Sequence, residues 1–272
     1  MIMKKNQIKK CIFITVLIII LSLCGVIVYD RATINKKYKI NEVQINIPIF
    51  VYHNIVNNNS EVEYDYMQTP QDVFEKQVKG LKKLGYNFIT YEELQQYKNG
   101  KIGLNKRSCI LTFDDGYEGV YENAYPIAQK YNIPFTIFII TNNMEEEGVL
   151  TWDEARKMQE SGLVTVASHS INHPEFTSLT VEEALENVNK SYEIIEENLG
   201  TKDTKIFTYP YGLYTDEEIE AFKKEGYIQN LTDNKINKSN SLDLYRLHRC
   251  YPLNDSIYKM MLKIFYRSIK YN

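Results

Sequence analysis

Two neighbouring carboxylates follow an apolar run near the middle of the sequence. The segment TFDDG at 112–116 contains Asp114 and Asp115 and continues directly from the apolar residues 109–111. Adjacent carboxylates at the end of a strand are unfavourable unless a cation or a proton uses them, and Gly116 permits a tight turn. One carboxylate can bind a metal while the other acts as a general base. An ordinary Asp-Gly turn is the alternative interpretation of this pentapeptide taken alone.

Two histidines stand at the spacing of metal ligands. His169 and His173 follow the apolar run 163–167, and the chain contains four histidines in all. Imidazoles four residues apart can bind one ion if the segment turns helically. One carboxylate with two imidazoles leaves coordination positions open, as a catalytic metal site requires. Together with 112–116, these histidines favour a divalent metal site over coincidence.

Short apolar runs alternate with amphipathic segments over some 210 residues, which is typical of a parallel α/β fold with its active site at the C-terminal ends of the strands. Periodicity does not distinguish a closed barrel from an open sheet. The predicted strands are 48–52, 87–89, 109–113, 135–140, 163–167, 205–209, 227–231 and 246–250. Capping boxes, which pair a threonine with a glutamate three residues later, predict helix starts at Thr90, Thr151, Thr180 and Thr215.

The N-terminus carries the pattern of an uncleaved signal anchor, with a cleaved signal and a secreted protein as the alternative. Four lysines precede the uncharged run Cys11–Tyr29, which is long enough to span a bilayer. We therefore divide the chain into a basic flank and transmembrane helix at 1–29, a stalk at 30–46 and one domain at 47–272. The net charge of -3 disfavours nucleic acid as a partner.

Two further features have more than one interpretation. Cys109 and Cys250 could pair outside the cell, but Cys109 begins a strand-like run and is expected to be a buried free thiol. The C-terminal segment 256–271 mixes Met, Ile and Phe with Lys and Arg. It is expected to be a helix that packs on the barrel, with contact to the membrane surface as the alternative.

Three ordered motifs resemble those of the NodB-homology polysaccharide deacetylases, carbohydrate esterase family 4. They are TFDDG at 112–116, HSINHP at 169–174 and FTYPYG at 207–212. The stretch PIFVYH at 48–53, together with later segments, is similar to the poly-β-1,6-N-acetylglucosamine deacetylase branch of that family. The resemblance covers essentially all of 47–252.

The resemblance implies a distorted (β/α)7 barrel as a single domain behind the transmembrane helix. It assigns Asp115, His169 and His173 to the metal, Asp114 to the general base and His53 to the general acid. The metal would be zinc, with cobalt, nickel or iron as alternatives.

Two points of the resemblance stay open. His248 is the alternative acid. The commoner family pattern has an arginine, which steadies the base aspartate, where this chain reads 205–210 without one. Arg249 or Lys205 could take its place, and the sequence does not choose between them.

The function implied is hydrolytic, metal-dependent removal of N-acetyl groups from an extracellular N-acetylglucosamine polymer. Tyr209, Tyr211 and Trp152 are candidates to stack on sugar rings, because tyrosine and tryptophan combine an apolar ring with a polar group. Each of the three could equally be a core residue.

Other substrates share this chemistry. The alternatives are peptidoglycan, chitin-like oligomers and O-acetyl esters. A polysaccharide-binding protein without catalytic activity is a further alternative, but it predicts the loss of a ligand or base, and all are present here. The polymer and the membrane are the expected partners.

Overall fold

The computed structural model describes residues 35–58 and 66–270. The strands are β1 Lys37–Tyr38, β2 Asn46–Ile47, β3 Ile49–Tyr52, β4 Asn54–Val56, β5 Gln68–Pro70, β6 Asn87–Phe88, β7 Leu104–Asn105, β8 Ser108–Phe113, β9 Phe135–Ile139, β10 Val164–Ser168, β11 Ile206–Thr208, β12 Ile228–Thr232, β13 Asn237–Lys238 and β14 Leu247–Arg249. The α-helices are α1 Gln71–Lys83, α2 Tyr91–Lys98, α3 Tyr125–Tyr131, α4 Trp152–Glu160, α5 Val181–Leu199, α6 Asp216–Lys224 and α7 Ile257–Lys270.

Seven of these strands form one parallel sheet in the order β14-β12-β11-β10-β9-β8-β3, and β6 pairs with the start of β8. The longer strands β8 and β9 are buried at every position, as expected of parallel strands covered on both faces. Each of the eight strands predicted from the sequence is present, with ends that shift by at most one residue.

The last strand meets the first, so the sheet is a nearly closed barrel. The Val51 N–H donates to the carbonyl of Cys250 (3.1 Å), and the Cys250 N–H donates to the carbonyl of Ile49 (2.9 Å). These bonds join the end of β14 to β3. The structure therefore confirms the barrel that the family resemblance implied and excludes an open sheet.

The four predicted capping boxes form as expected. At each one the threonine side chain accepts a hydrogen bond from the backbone N–H of the glutamate, and that glutamate accepts one from the threonine N–H; the pairs are Thr90 with Glu93, Thr151 with Glu154, Thr180 with Glu183 and Thr215 with Glu218. These bonds satisfy N–H groups that a helix start would otherwise leave unpaired.

The described part of the predicted stalk packs on the domain. β1 pairs with β7, and the side chains of Tyr38 and Ile45 are buried among core residues. The packing of the domain thus begins before residue 47. The side chains at 38 and 45 are large enough to join the core. The mostly polar composition of 30–46 did not predict this packing.

The predicted anchor at 1–29, with residues 30–34, lies outside the described residues. Within 35–58 and 66–270, none of the helices combines the length and apolar character needed to cross a bilayer. The transmembrane helix remains a prediction.

Cys109 and Cys250 are buried free thiols. Burial raises the pKa of both, that of Cys250 to about 11. The expectation of a free thiol at Cys109 is confirmed.

Candidate active site

A cavity of about 450 Å³ opens at the C-terminal ends of the barrel strands. His53 follows β3, Asp114 and Asp115 follow β8, and His169 follows β10. The lining consists of these residues and a mostly aromatic rim, formed by Tyr66, Met67, His173, Tyr209, Tyr211, Gly212, Thr232 and Tyr251. The fold therefore brings the chemistry-bearing motifs of the sequence together at one rim.

Asp115, His169 and His173 converge on a single point. Their ligand atoms all lie within 4.8 Å of one another. Asp115 Oδ1 lies 3.4 Å from His169 Nε2 and 3.7 Å from His173 Nε2, and the two Nε2 atoms are 3.3 Å apart. This triangle has the size and the donor atoms of a site for one divalent ion.

The donor set of the triangle fits a cation. Nδ1 of His169 lies 2.9 Å from the carbonyl oxygen of Thr208, which can only accept, so Nδ1 carries the proton. Burial lowers the pKa of His169 to about 3. The neutral ring thus points the lone pair of Nε2 at the Asp115 carboxylate. A cation between two electron-rich atoms removes their repulsion, and the Thr208 contact is the kind that orients histidine ligands.

The pKa of Asp115 also indicates a cation site. Burial, and then the neighbouring charge of Asp114, raises the pKa of Asp115 to about 7. A carboxylate in this position is poorly compensated by the protein alone. A bound cation would stabilise its ionised form.

The backbone around the triangle is unusual. Asp115, Ser170, His173 and Tyr211 have positive φ angles of 71°, 77°, 54° and 58°. Such conformations are unfavourable for residues other than glycine and cluster at functional sites. The segment from His169 to His173 is therefore an irregular turn and not the helical turn that would also bring two imidazoles at this spacing together. The two imidazoles meet because this turn folds back on itself.

Side chains around the turn hold it in place. Ser170 Oγ accepts from the His173 N–H (2.9 Å), and Ser168 Oγ accepts from the Ser170 N–H (3.1 Å). From α5, Asn187 Oδ1 accepts from the Ile171 N–H (2.9 Å). These bonds satisfy backbone groups that the turn leaves without partners in a regular element.

Asp114 forms a buried, bidentate ion pair with Arg249. The two guanidinium nitrogens donate to the two carboxylate oxygens over 2.7 and 2.8 Å. Burial raises the pKa of Asp114, but the charge and hydrogen bonds of Arg249 outweigh it and lower the pKa to about 2. Asp114 is thus ionised and held in one orientation.

The structure identifies Arg249 and excludes Lys205 as the residue that orients Asp114. Arg249 also donates to Thr232 Oγ1 (2.8 Å), and its guanidinium lies over the Phe138 ring. Lys205 precedes β11, at the opposite end of the barrel, and its ammonium lies over Tyr227. The arginine that the 205–210 segment lacks is supplied by the last strand.

The two candidate acids lie in different places. His53 lines the cavity with its ring parallel to that of Tyr251, at a centroid distance of 6.0 Å. His248 lines a separate cavity, where its Nδ1 lies 2.9 Å from a carboxylate oxygen of Asp233. Of these two histidines, His53 is the one that can reach a substrate at the triangle.

Tyr211 has the position expected of a sugar-binding residue, and two other predicted residues do not. Its side chain is 64% exposed, and its ring lies edge-on to His173 at 4.4 Å. The ring of Tyr209 is buried, packs parallel to Phe222 and donates its hydroxyl to Gln229, so it cannot stack on a sugar. Trp152 begins α4 and packs against the core, away from the residues that line the cavity.

Two tyrosines of the rim went unnoticed in the sequence. Tyr66 and Tyr251 form an edge-to-face pair beside His53. Tyr251 follows β14 by two residues, so the rule that strand ends carry the site would have found it. Tyr66 comes from the connection between β4 and β5, which carries no motif.

The chain is similar in sequence to known polysaccharide deacetylases. The family model for polysaccharide deacetylase matches residues 101–229. The poly-β-1,6-N-acetyl-D-glucosamine N-deacetylase of Staphylococcus aureus is 33% identical over 236 residues, which cover 79% of this chain and 81% of that protein. The enzyme of the same name from Staphylococcus epidermidis is 30% identical over 222 residues, covering 77% and 75%.

A solved structure has the same fold. The structure of IcaB from Ammonifex degensii superposes with a TM-score of 0.70 at 25% identity, covering 81% of this chain and 97% of that one. The chain belongs to the polysaccharide deacetylase family, whose members hydrolyse acetyl groups from polysaccharides. The resemblance carried by the three sequence motifs is therefore confirmed.

Proposed function

We propose that this polysaccharide deacetylase removes N-acetyl groups from poly-β-1,6-N-acetylglucosamine outside the cell, in a metal-dependent hydrolysis of a carbon–nitrogen bond that releases acetate. One observation carries the proposal: the Asp115, His169 and His173 triangle lies beside the ion-paired Asp114 in one open cavity with aromatic walls. The polymer is supported by the names of the relatives from both staphylococci.

Asp115, His169 and His173 would hold the metal, and the donor set suits zinc, cobalt, nickel or iron. When bound, such an ion supplies Lewis acidity, which polarises an amide carbonyl and lowers the pKa of water toward about 7.

The two proton transfers of the reaction are carried out by side chains of the protein. Asp114 is ionised, oriented by Arg249 and next to the triangle, so it accepts the proton of the attacking water. His53, on the wall of the same cavity, donates a proton to the departing amine nitrogen. Without that proton the C–N bond breaks poorly, because an amide anion is a poor leaving group.

Exposed aromatic rings on two sides of the cavity would hold the polymer. Tyr211 lies beside His173, and Tyr66 lies beside His53 and is 54% exposed. Aromatic faces suit the apolar faces of sugar rings. The run Cys11–Tyr29 would anchor the enzyme in the cell membrane, with the barrel outside, because the basic residues before it favour the cytoplasm.

Acetate release from β-1,6-linked N-acetylglucosamine oligomers by the full-length protein in detergent tests this proposal. We expect release that a chelator abolishes and that a divalent metal restores. Asp114→Asn should lower kcat by about 10²–10⁴ and keep the bound metal, because it removes the base and spares the ligands. Asp153→Asn, at an exposed aspartate in α4, is the matched control and should behave as wild type.

The other outcomes separate the parts of the proposal. Release from peptidoglycan or chitin oligomers, but not from the β-1,6 oligomers, would reject the polymer and keep the chemistry. Metal binding without release from any of these substrates would reject the enzyme in favour of a polysaccharide-binding protein. Release that survives complete metal removal would reject the metal.

A further inference from the structure

The C-terminal helix α7 is apolar on two sides. Met260, Ile264 and Ser268 are buried against the barrel. Facing away from them is a second apolar surface, here called the outer stripe, which consists of Tyr258, Leu262, Phe265, Tyr266 and Ile269. The spacings of three and four residues place all five side chains on one face of the helix.

The outer stripe is exposed to an unusual degree. The side chains of Tyr258, Leu262 and Phe265 are 80%, 67% and 64% exposed. Of the ten exposed large hydrophobic residues within 35–58 and 66–270, five belong to this stripe. A contiguous apolar surface of this kind on a protein in water marks a site of interaction.

The charge of α7 indicates which partner covers the stripe. The helix contains Lys259, Lys263, Arg267 and Lys270 and no acidic residue, although the whole chain has a net charge of -3. At 100° per residue these four cations form a row along one edge of the outer stripe, and Arg267 in this row also donates to Asn234 Oδ1 (3.0 Å). Asp255 pairs with Lys259 and Lys263 and offsets a single charge, so the segment stays positive.

We propose that α7 binds the surface of an anionic lipid bilayer, with the outer stripe among the acyl chains and the basic row against the headgroups. Amphipathic helices with such a division of residues lie in the plane of the interface. Tyr258 and Tyr266 are suited to the boundary, since tyrosine has an apolar ring and a polar tip. The basic row favours anionic over zwitterionic lipid.

The rest of the chain supports lipid as the partner over a second copy of the protein. Residues 30–36 are all that separate the predicted anchor Cys11–Tyr29 from β1. Fully extended, these seven residues span at most about 25 Å. If the predicted anchor is inserted, the barrel stays close to a bilayer at any protein concentration, whereas a second copy must first be encountered by diffusion.

Depth-dependent fluorescence quenching tests the proposal on the full-length protein. In a Trp152→Phe background, Phe265→Trp places a single tryptophan in the outer stripe, and Glu197→Trp places one on α5 as the matched control. The proteins are reconstituted into vesicles of phosphatidylcholine and phosphatidylglycerol whose acyl chains carry bromine. We expect loss of most of the emission from position 265 and little loss from position 197.

Three changes should reduce the quenching at position 265. Phosphatidylcholine alone or high salt should weaken it, because both reduce the attraction of the basic row. Adding Leu262→Glu should remove it, while acetate release from soluble oligomers stays unchanged, since Leu262 lies outside the catalytic cavity.

Two results would overturn the proposal. One is an unquenched emission at position 265 with the maximum of a solvent-exposed tryptophan. The other is a blue-shifted, concentration-dependent emission without lipid, together with dimers in sedimentation that Leu262→Glu dissociates, which would assign the stripe to a second copy.

Discussion

The ion pair between Asp114 and Arg249 keeps a carboxylate ionised where burial alone would favour its protonated form. Each side chain is almost fully enclosed, and the pair has fork-to-fork geometry. A point charge cannot reproduce two parallel bonds to the carboxylate together with a third to Thr232. The orientation of Asp114 therefore depends on the shape of the guanidinium as well as on its charge.

Arg249→Lys tests this at the scale of one residue. We expect kcat to fall by about 10²-fold or more with KM changed little, because the base loses its orientation and substrate contacts stay. Metal content should match wild type, as the ligands are untouched. Arg246→Lys is the control, since Arg246 pairs on the surface with Asp216. Equal losses of kcat in both variants would contradict the positioning role.

Single substitutions also distinguish His53 from His248 as the general acid. His53→Gln should lower kcat by about 10²-fold or more, since it removes the proton donor on the cavity wall. His248→Gln should leave kcat within about threefold of wild type, because that side chain lines another cavity. Steady-state kinetics on the same oligomer compares them. A large loss in His248→Gln alone would transfer the role to His248.

Helix α5 supports the turn between His169 and His173. Asn187 bonds the backbone of Ile171 and also donates to Asn172 Oδ1 (3.0 Å), and Ser191 bonds Ser168 at the end of β10 (2.8 Å). The turn between the two histidines is thus tied to a 19-residue helix that begins with a capping box. Partners that orient ligands in this way affect metal affinity without touching the metal.

Asn187→Ala should weaken metal binding by about 10–100-fold, because the turn that presents His169 and His173 loses its tie to the helix. Competition with a calibrated chelator measures the affinity. Asn198 lies on the same helix, and its side chain donates to the backbone carbonyl of Ile194, so Asn198→Ala should bind metal as wild type does. If both variants bind metal equally well, α5 has no part in positioning the turn.

At the scale of elements the sequence was informative where the signal is local. Strands and capping boxes depend on neighbours within a few residues, so their predicted positions agree with the structure. The spacing of His169 and His173 suits one ion if the segment turns helically, but spacing alone cannot show that an irregular turn with positive φ angles brings them together instead. Tyr209 and Tyr211 look alike in sequence, yet one is buried and the other exposed, because the turn at Tyr211 redirects the chain.

At the scale of the molecule, the residues after β14 are held against helix α1 on the outside of the barrel. Asp255 is buried, pairs with Lys259 and Lys263 of α7, and its backbone carbonyl accepts from Gln77 of α1 (2.9 Å). Burial raises the pKa of Asp255, but the two lysines outweigh it and lower the pKa below its usual value. Ionised Asp255 therefore stabilises the folded chain.

The stabilising effect of Asp255 should disappear in acid. A carboxyl whose pKa is lower in the folded state contributes fully above its unfolded value, 3.8, and less as the pH falls through the folded value. At pH 7 we expect Asp255→Asn to lower the melting temperature by about 2–4 °C. Below pH 4 this difference should shrink, whereas Asp153→Asn should show none at either pH. If Asp255→Asn lowers the melting temperature equally at both pH values, ionisation of Asp255 does not stabilise the folded chain.

The sequence by itself predicted the paired carboxylates and paired histidines of the candidate site and the order of the elements, and the family resemblance supplied the role of each residue. Each of these depends on residues that are close along the chain: paired carboxylates after one strand, two histidines after another, and a threonine with its glutamate at a helix start. These short-range patterns have physical reasons that hold in any fold.

Only the tertiary structure decided which residues complete the site. Arg249 meets Asp114 across 135 positions of the chain, because closure of the barrel brings the last strand beside the first. The same closure separates His248 from the cavity and places Tyr251 in it. Contacts between distant strands depend on the register and curvature of the whole sheet, and no local pattern of residues encodes these.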